Sequence, residues 1–164
     1  MPKLAANLTM LFGDVEFPER FARAARAGFR GVEYLFPYDH DKHLLRALLD
    51  EHRLTQVLFN LPAGNWAAGE RGIACHPDRV DEFAAGVERA AEYAQTLGCT
   101  QVNCLAGIVP AHVDCEQAHA TFVANVRLAA RRLATRSGNA ASTERSSASS
   151  PAPWRSRPGA VLRN

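Results

Sequence analysis

The sequence predicts an α/β protein built on a parallel sheet: four βα units, or half of a (β/α) barrel, followed by a tail of different character. Three observations carry that prediction. Short β-branched or apolar runs alternate strictly with longer stretches of helical period as far as residue 134, and strand, crossover helix, strand in that order makes a parallel sheet with right-handed crossovers. The third run, TQVLFNL over 55–61, is apolar almost throughout, as suits a strand covered on both faces. Four units in 134 residues are about 33 residues each, so eight would give about 270, close to the ~250 of a complete barrel. An open doubly wound sheet accepts the same alternation. Its nucleotide site, however, wants a glycine-rich turn after the first strand, and TMLFGDVEF over 9–17 offers only Gly13.

Each element follows from local signals. A strand over 4–8 precedes a helix beginning near Pro18, where Phe17, Phe21, Ala24, Ala25 and Gly28 recur at helical spacing, with Gly28 as its C-terminal stop. A second strand over 31–36 leads through Pro37, Tyr38 and Asp39 to a helix striped by Leu44, Leu45, Leu48 and Leu49. Asp41 is its N-cap. The third strand occupies 55–61, and fifteen residues of loop, 63–77, follow it. The next helix starts at Pro77, a residue suited to the first helical position. It carries Val80, Phe83, Ala84, Val87, Ala91, Ala94 and Leu97 on one face and stops at Gly98. The fourth strand is 101–105. The fourth helix opens on Asp114-Cys115-Glu116-Gln117, a capping-box spacing, and buries Ala118, Phe122, Val126, Ala129 and Leu133.

Composition limits the function classes. Of 164 residues, 47% are apolar and 22% charged, with 19 basic side chains against 17 acidic ones, the profile of a single globular domain. No apolar run approaches the ~18 residues of a membrane span, and MPKLAANLTMLF, broken by Asn7 and followed by Asp14, is not expected to act as a secretory signal. Residues 1–134 hold no serine, whereas residues 135–164 hold seven. In that last segment five arginines against Glu144 give +4, which leaves −2 for the first 134 residues. The arginines are scattered, with Trp154 as the one ring among them, whereas nucleic-acid binding needs a basic stripe on an ordered face. Neither nucleic acid nor membrane is therefore an expected partner. A segment with no apolar period and three prolines cannot bury enough surface to offset the entropy of ordering it. Residues 135–164 are expected to be a disordered tail, and the abrupt change at 134 points to a frameshifted or truncated product, the alternative being a natural flexible tail. Cys75, Cys99, Cys104 and Cys115 form no CxxC pair and read as free thiols, so a cytoplasmic protein is expected.

In a parallel α/β layout chemistry collects where strands end and helices begin. The polar residues at those places are Asn7, Glu33, Asn60 and Asn103. Asparagine is disfavoured in central strands, and three at matched places suggest a polar ring aimed at a small ligand; the alternative is that the amides satisfy neighbouring backbone or one another. The segment AGNWAAGERGIACHP, 63–77, exceeds the two to six residues usual for a βα connection and reads as a lid or substrate loop. Trp66 is available to cover a site, Glu70 and Arg71 stand between Gly69 and Gly72, and the planar fork of Arg71 suits a carboxylate. The alternative there is an Arg71 to Glu70 ion pair with a Trp that merely packs. Asp39, His40, Asp41 and His43 offer either a divalent-metal cluster or a capped, solvated helix start, and no metal ligand is assigned. No GxSxG, HExxH or Walker motif occurs.

The stretches FRGVEYLFPYDHD (29–41), LFNLPAGNWAAGERGIACHP (58–77) and LGCTQVNCLAG (97–107) resemble the N-terminal half of the hydroxypyruvate isomerase family, within the xylose-isomerase-like TIM-type (β/α) barrels. The resemblance covers residues 1–134 and departs at Asn65, where the family often has an acid. It implies an isomerase of glyoxylate metabolism that interconverts hydroxypyruvate and tartronate semialdehyde (2-hydroxy-3-oxopropanoate) through an enediolate. The implied partner is a small 2-oxo acid, and the implied cofactor a divalent metal such as Mg. Such a reaction needs a base for the carbon-bound proton and an electrophile for the developing oxyanion. In the family both catalytic glutamates and the metal ligands lie on the fifth and later strands, which residues 1–134 do not match. No catalytic residue is therefore assigned, and this chain is expected to be inactive and to bind no metal, with Asn7, Asn60, Trp66, Glu70, Arg71 and Asn103 serving the substrate. Half a barrel leaves two open sheet edges, a route to homo-oligomers. The competing readings are a non-catalytic interaction module that uses those edges and a related sugar isomerase or epimerase.

Overall fold

The computed structural model describes the backbone of residues 2–143 and the side chains as far as residue 134. Four parallel strands, β1 (Ala5–Asn7), β2 (Gly31–Glu33), β3 (Thr55–Asn60) and β4 (Val102–Asn103), stand side by side in chain order. Each is followed by a helix: α1 (Phe17–Arg26), α2 (Lys42–His52), α3 (Val80–Leu97) and α4 (Cys115–Thr143). These are the four expected βα units. The strands are shorter than the apolar runs because side-chain and turn hydrogen bonds end them early. The Asn7 carbonyl accepts from Met10 and Leu11 N–H, at 3.1 and 2.8 Å, closing a turn after β1, and the Leu35 N–H donates to Thr9 Oγ1 at 2.9 Å instead of extending β2.

The sheet is one-sided. Ala6, Val32 and Gln56, which are register partners across three strands, are buried together with Leu8, Tyr34, Phe59 and Leu61 against Phe21, Leu45, Leu49, Phe83 and Val87. The opposite face carries Asn7 beside Glu33 and Asn60 beside Asn103. There Val57 and Leu58 are only half-buried, so β3 is covered on one face, not on the expected two. A β-bulge sets this parity: Glu33 pairs with Leu58 rather than Val57. Because side chains alternate along a strand, a single skipped residue exchanges the faces of everything beyond it. The bulge sends Phe59 into the helix-side core and Asn60 to the polar face.

Helix ends follow the expected chemistry. Asp41 accepts from the His43 and Leu44 N–H groups, at 2.8 and 3.0 Å, and caps α2. Gly98 takes φ +66° after α3, while Cys99 N–H reaches back to Ala94 O at 2.9 Å. Pro77 opens a 3-10 turn, Pro77–Arg79, that leads into α3. Asp114 Oδ1 accepts from Gln117 N–H at 2.8 Å at the start of α4. Helix α4 runs on to Thr143, past the boundary expected at 134. The chain meets no proline before Pro151, and a helix already nucleated adds residues at little cost until one intervenes. The expected disorder over 144–164 lies outside the described residues. Among the described residues no helix is long and apolar enough to cross a membrane.

Candidate functional site

The polar residues at the strand ends meet as two pairs. Asn7 Nδ2 donates to Glu33 Oε1 at 3.0 Å, and Asn7 Oδ1 accepts from Thr9 N–H at 3.0 Å, so two contacts set the orientation of that amide. Asn103 Nδ2 donates to Asn60 Oδ1 at 3.0 Å, and Asn60 is 6% exposed. Tyr38 OH donates to the Asn60 carbonyl at 2.7 Å, which steadies the end of β3. Pairing of this kind satisfies the amides and also aligns them along one face of the sheet, with Glu33 between Asn7 and Leu58.

Loop 63–77 brings Trp66 and Arg71 together. The Arg71 guanidinium lies 4.1 Å from the centroid of the Trp66 ring, a cation–π stack. Its Nη1 donates to the Trp66 carbonyl at 3.2 Å and the Glu70 carbonyl at 2.7 Å. The Trp66 ring in turn sits edge-on to Phe36, with centroids 5.1 Å apart. The ion pair considered between Arg71 and Glu70 does not form. Instead, the Glu70 carboxylate accepts from Asn65 N–H and from Arg79 Nη1. Arg79 also grips both oxygens of Glu82, each at 2.7 Å. The Arg79 guanidinium, and secondly the Asn65 N–H, hold the Glu70 carboxyl below the usual carboxylate range, and Arg79 does the same to Glu82.

The loop is fastened to the β4–α4 connection and to α4 at several points. Gly72 forms an antiparallel bridge with Ala106 in the β4–α4 connection. Cys75 N–H donates to Ala106 O at 2.8 Å, His76 Nε2 pairs with Ile108 O at 2.9 Å, and buried Asn125 Nδ2 donates to Ala74 O at 2.9 Å. Gly72 has φ +112°, and a Cβ on it would stand 2.6 Å from the Leu105 carbonyl carbon and 2.8 Å from Gly107 N. Only glycine permits that approach. The long connection is thus a seated platform, not a free lid, because its backbone groups bond to the neighbouring connection.

Sequence reasoning missed two of the groups that shape this platform, Phe36 and Arg79, and marked Asn65 only as a departure from the family pattern. The Arg79 to Glu82 spacing of three residues at a helix start is a recognisable pair signal; Phe36 carried none. The Asp39 to His43 cluster resolves into a capped helix start. Asp41 serves α2, and the His40 ring stacks on Phe17 with centroids 4.5 Å apart. Among the described residues no group of three or more His, Cys, Asp or Glu side chains is arranged to hold a metal ion.

The arrangement offers a planar cation and paired amides at the C-terminal end of a parallel sheet, groups suited to a small oxygen-rich anion. Comparison with known proteins agrees with that architecture. A family described as xylose isomerase-like TIM barrel matches residues 21–140. Over 133 residues the chain is 53% identical to hydroxypyruvate isomerase of Escherichia coli, a match covering 81% of this chain and 52% of that protein. It is 47% identical over 134 residues to 2-oxo-tetronate isomerase of Cupriavidus necator, covering 82% and 52% respectively. A crystal structure of an AP endonuclease, family 2, from Brucella melitensis superposes with a TM-score of 0.80 at 48% identity, covering 82% of this chain and 52% of that one. The chain therefore spans about half the length of the curated relatives it matches, and with its four βα units in chain order it belongs to the xylose isomerase-like TIM barrel family.

Proposed function

We propose that this chain supplies the substrate-binding half of an isomerase for short 2-oxo acids, with hydroxypyruvate and tartronate semialdehyde as the interconverted pair, and that its four strands alone do not turn the substrate over. The observation that carries the reading is the Arg71 fork, stacked on Trp66 and seated at the same end of the sheet as Asn60 and Asn103. In this reading Arg71 takes the substrate carboxylate through paired hydrogen bonds. Asn60 and Asn103, with Asn7 and Glu33, receive the oxo and hydroxyl oxygens, Trp66 walls the site, and Glu70 serves by holding the loop. Both hydroxypyruvate and the 2-oxo-tetronate named for the Cupriavidus relative present a carboxylate next to a carbonyl, which is the pattern this set would grip.

Moving hydrogen between adjacent carbons needs a base and an electrophile. Glu33 is the one carboxylate at the four strand ends, and among the described residues no three His, Cys, Asp or Glu side chains gather as metal donors, so in this reading the divalent metal implied by family resemblance is not held by these strands alone. A duplex nucleic acid, suggested by the name of the Brucella protein, fits less well, since residues 1–134 carry −2 and duplex binding rests on a basic face. Four unpaired cysteines suit the reducing cytoplasm, where this reading places the protein.

Titration of hydroxypyruvate into the 15N-labelled chain tests the reading. Shifts should appear at Arg71, Trp66, Asn60 and Asn103, and Arg71→Ala should weaken binding by roughly tenfold or more, the worth of a charged hydrogen-bonded pair. Undiminished binding by Arg71→Ala would overturn it. A second reading, a homo-oligomer or interaction module, draws on a cleft of about 970 Å³ at the opposite end of β1–β3, lined by Leu4, Phe29 and Val57 among others. A stable dimer or stoichiometric partner in solution, with no response to hydroxypyruvate, would favour it.

A further inference from the structure

We infer that Arg79 is a positioning residue for the Arg71 subsite and acts through Glu70; the inference rests on the reading of Arg71 as the carboxylate-binding group. Arg79 stands in the turn that opens α3, at the far end of loop 63–77 from β3. Two of its nitrogens, Nε and Nη2, are committed to the Glu82 oxygens, which fixes the guanidinium plane against the helix. The remaining arm, Nη1, donates to Glu70 Oε1. The other Glu70 oxygen accepts the Asn65 N–H, and Asn65 Oδ1 accepts from Ala68 N–H at 3.0 Å. One carboxylate therefore joins the first turn of the loop to its last.

Arg71 depends on that closure. Its Nη1 is held by two carbonyls, those of Trp66 and Glu70, and its stacking surface is the Trp66 ring. All three supports belong to the 65–70 segment, which closes on itself through Glu70 N–H to Asn65 O at 3.1 Å and is tied to the start of α3 by the Glu70 to Arg79 contact, so the place of the fork relative to that helix depends on the contact. The job requires arginine geometry: a fork can hold Glu82 with two donors and still present a third to Glu70, whereas a lysine ammonium is a single point of charge. Glu82 is held by Arg79 and also acts electrostatically on Glu70 and His76 of the loop, so its removal loosens the Arg79 fork without removing the donor that reaches Glu70.

The experiment follows the Arg71 side-chain Nε–H resonance, which a guanidinium carbon 4.1 Å from the Trp66 ring centroid should expose to the ring current, in parallel with hydroxypyruvate titration. In Arg79→Ala the Arg71 resonance is expected to move to the position of an unstacked arginine, and hydroxypyruvate affinity to fall on the order of tenfold, in a chain that remains folded. In Glu82→Ala, which unpins the guanidinium but leaves Nη1 able to hold Glu70, both losses should be clearly smaller than in Arg79→Ala. Retention of the Arg71 shift in Arg79→Ala, or equal losses in the two variants, would overturn the assignment. If the unmodified chain ignores hydroxypyruvate while Arg79→Ala still releases the Arg71 stack, the positioning role stands and the carboxylate reading falls. Should Arg79→Ala fail to fold, Glu70→Gln weakens the same contact from its other end and is read in the same way.

Discussion

Replacing Gly72 by alanine probes the close seat of the long loop against the β4–α4 connection. At φ +112° any L side chain is strained, by about 1–2 kcal/mol. The new Cβ would also stand 2.6 Å from the Leu105 carbonyl carbon and 2.8 Å from Gly107 N. Both neighbours are backbone, so the loop must lift. Lifting costs the bonds that flank the bridge, Gly72 N–H to Ala63 O at 3.0 Å and Cys75 N–H to Ala106 O at 2.8 Å, at about 1 kcal/mol each. The sum is about 3–4 kcal/mol, a large share of the stability of an ordinary domain. Gly69 is the internal control: its φ is +95°, but a Cβ there meets nothing within 4 Å, so Gly69→Ala carries only the conformational part, about 1–2 kcal/mol. Urea unfolding at constant slope measures both variants, and amide exchange across 63–77 should accelerate in Gly72→Ala alone. Equal destabilisation by the two substitutions, or a Gly72→Ala effect under about 1 kcal/mol, would refute the close-seat reasoning.

Three further outcomes are expected. Asp41→Ala removes two N-terminal hydrogen bonds from α2 and should cost about 1 kcal/mol in chemical denaturation; a neutral result would show the cap to be dispensable. Glu70, Glu82 and Asp50 are held below the usual carboxylate range by Arg79, Arg79 and Arg46 respectively. Their folded-state pKa values thus lie below the unfolded ones, so their stabilisation is complete above the ordinary carboxylate range and is lost as pH falls through the folded values. Unfolding midpoints should drop from pH 7 to pH 3, less steeply in Glu70→Gln, and an equally steep fall in that variant would contradict the assignment. Burial pushes the Cys104 thiol up to about 11, so at pH 8 an aromatic disulfide reagent should label exposed Cys115 well before Cys104; the reverse order would count against the packing around β4.

Much of the framework was legible in local sequence, because caps and stops act within a few residues. Asp41 and Gly98 sit where their chemistry requires, and the order of strands and helices follows from hydrophobic period alone. The strand-end amides were also visible as polar residues in apolar runs. Their partners were not, since Asn7 meets Glu33 and Asn60 meets Asn103 only through inter-strand register, and the register past Val32 depends on a bulge that no local pattern in TQVLFNL announces. The loop shows the same limit. Composition marked Trp66, Glu70 and Arg71, but the partner of Glu70 is Arg79, nine residues on, and that pairing depends on how the whole of 63–77 folds back, which no local pattern states. Helix α4 shows a further limit: an apolar period reports a buried face and not where the helical backbone stops, and that backbone runs to Thr143.

These four strands are expected to hold a 2-oxo acid without converting it. Incubating the purified chain with hydroxypyruvate and magnesium, while product and Arg71 resonance are followed in one NMR sample, examines both parts together. Ligand-dependent movement of Arg71 with no tartronate semialdehyde formed is the expected result, whereas conversion at ~1 per second or faster, an ordinary enzymatic rate, would contradict it.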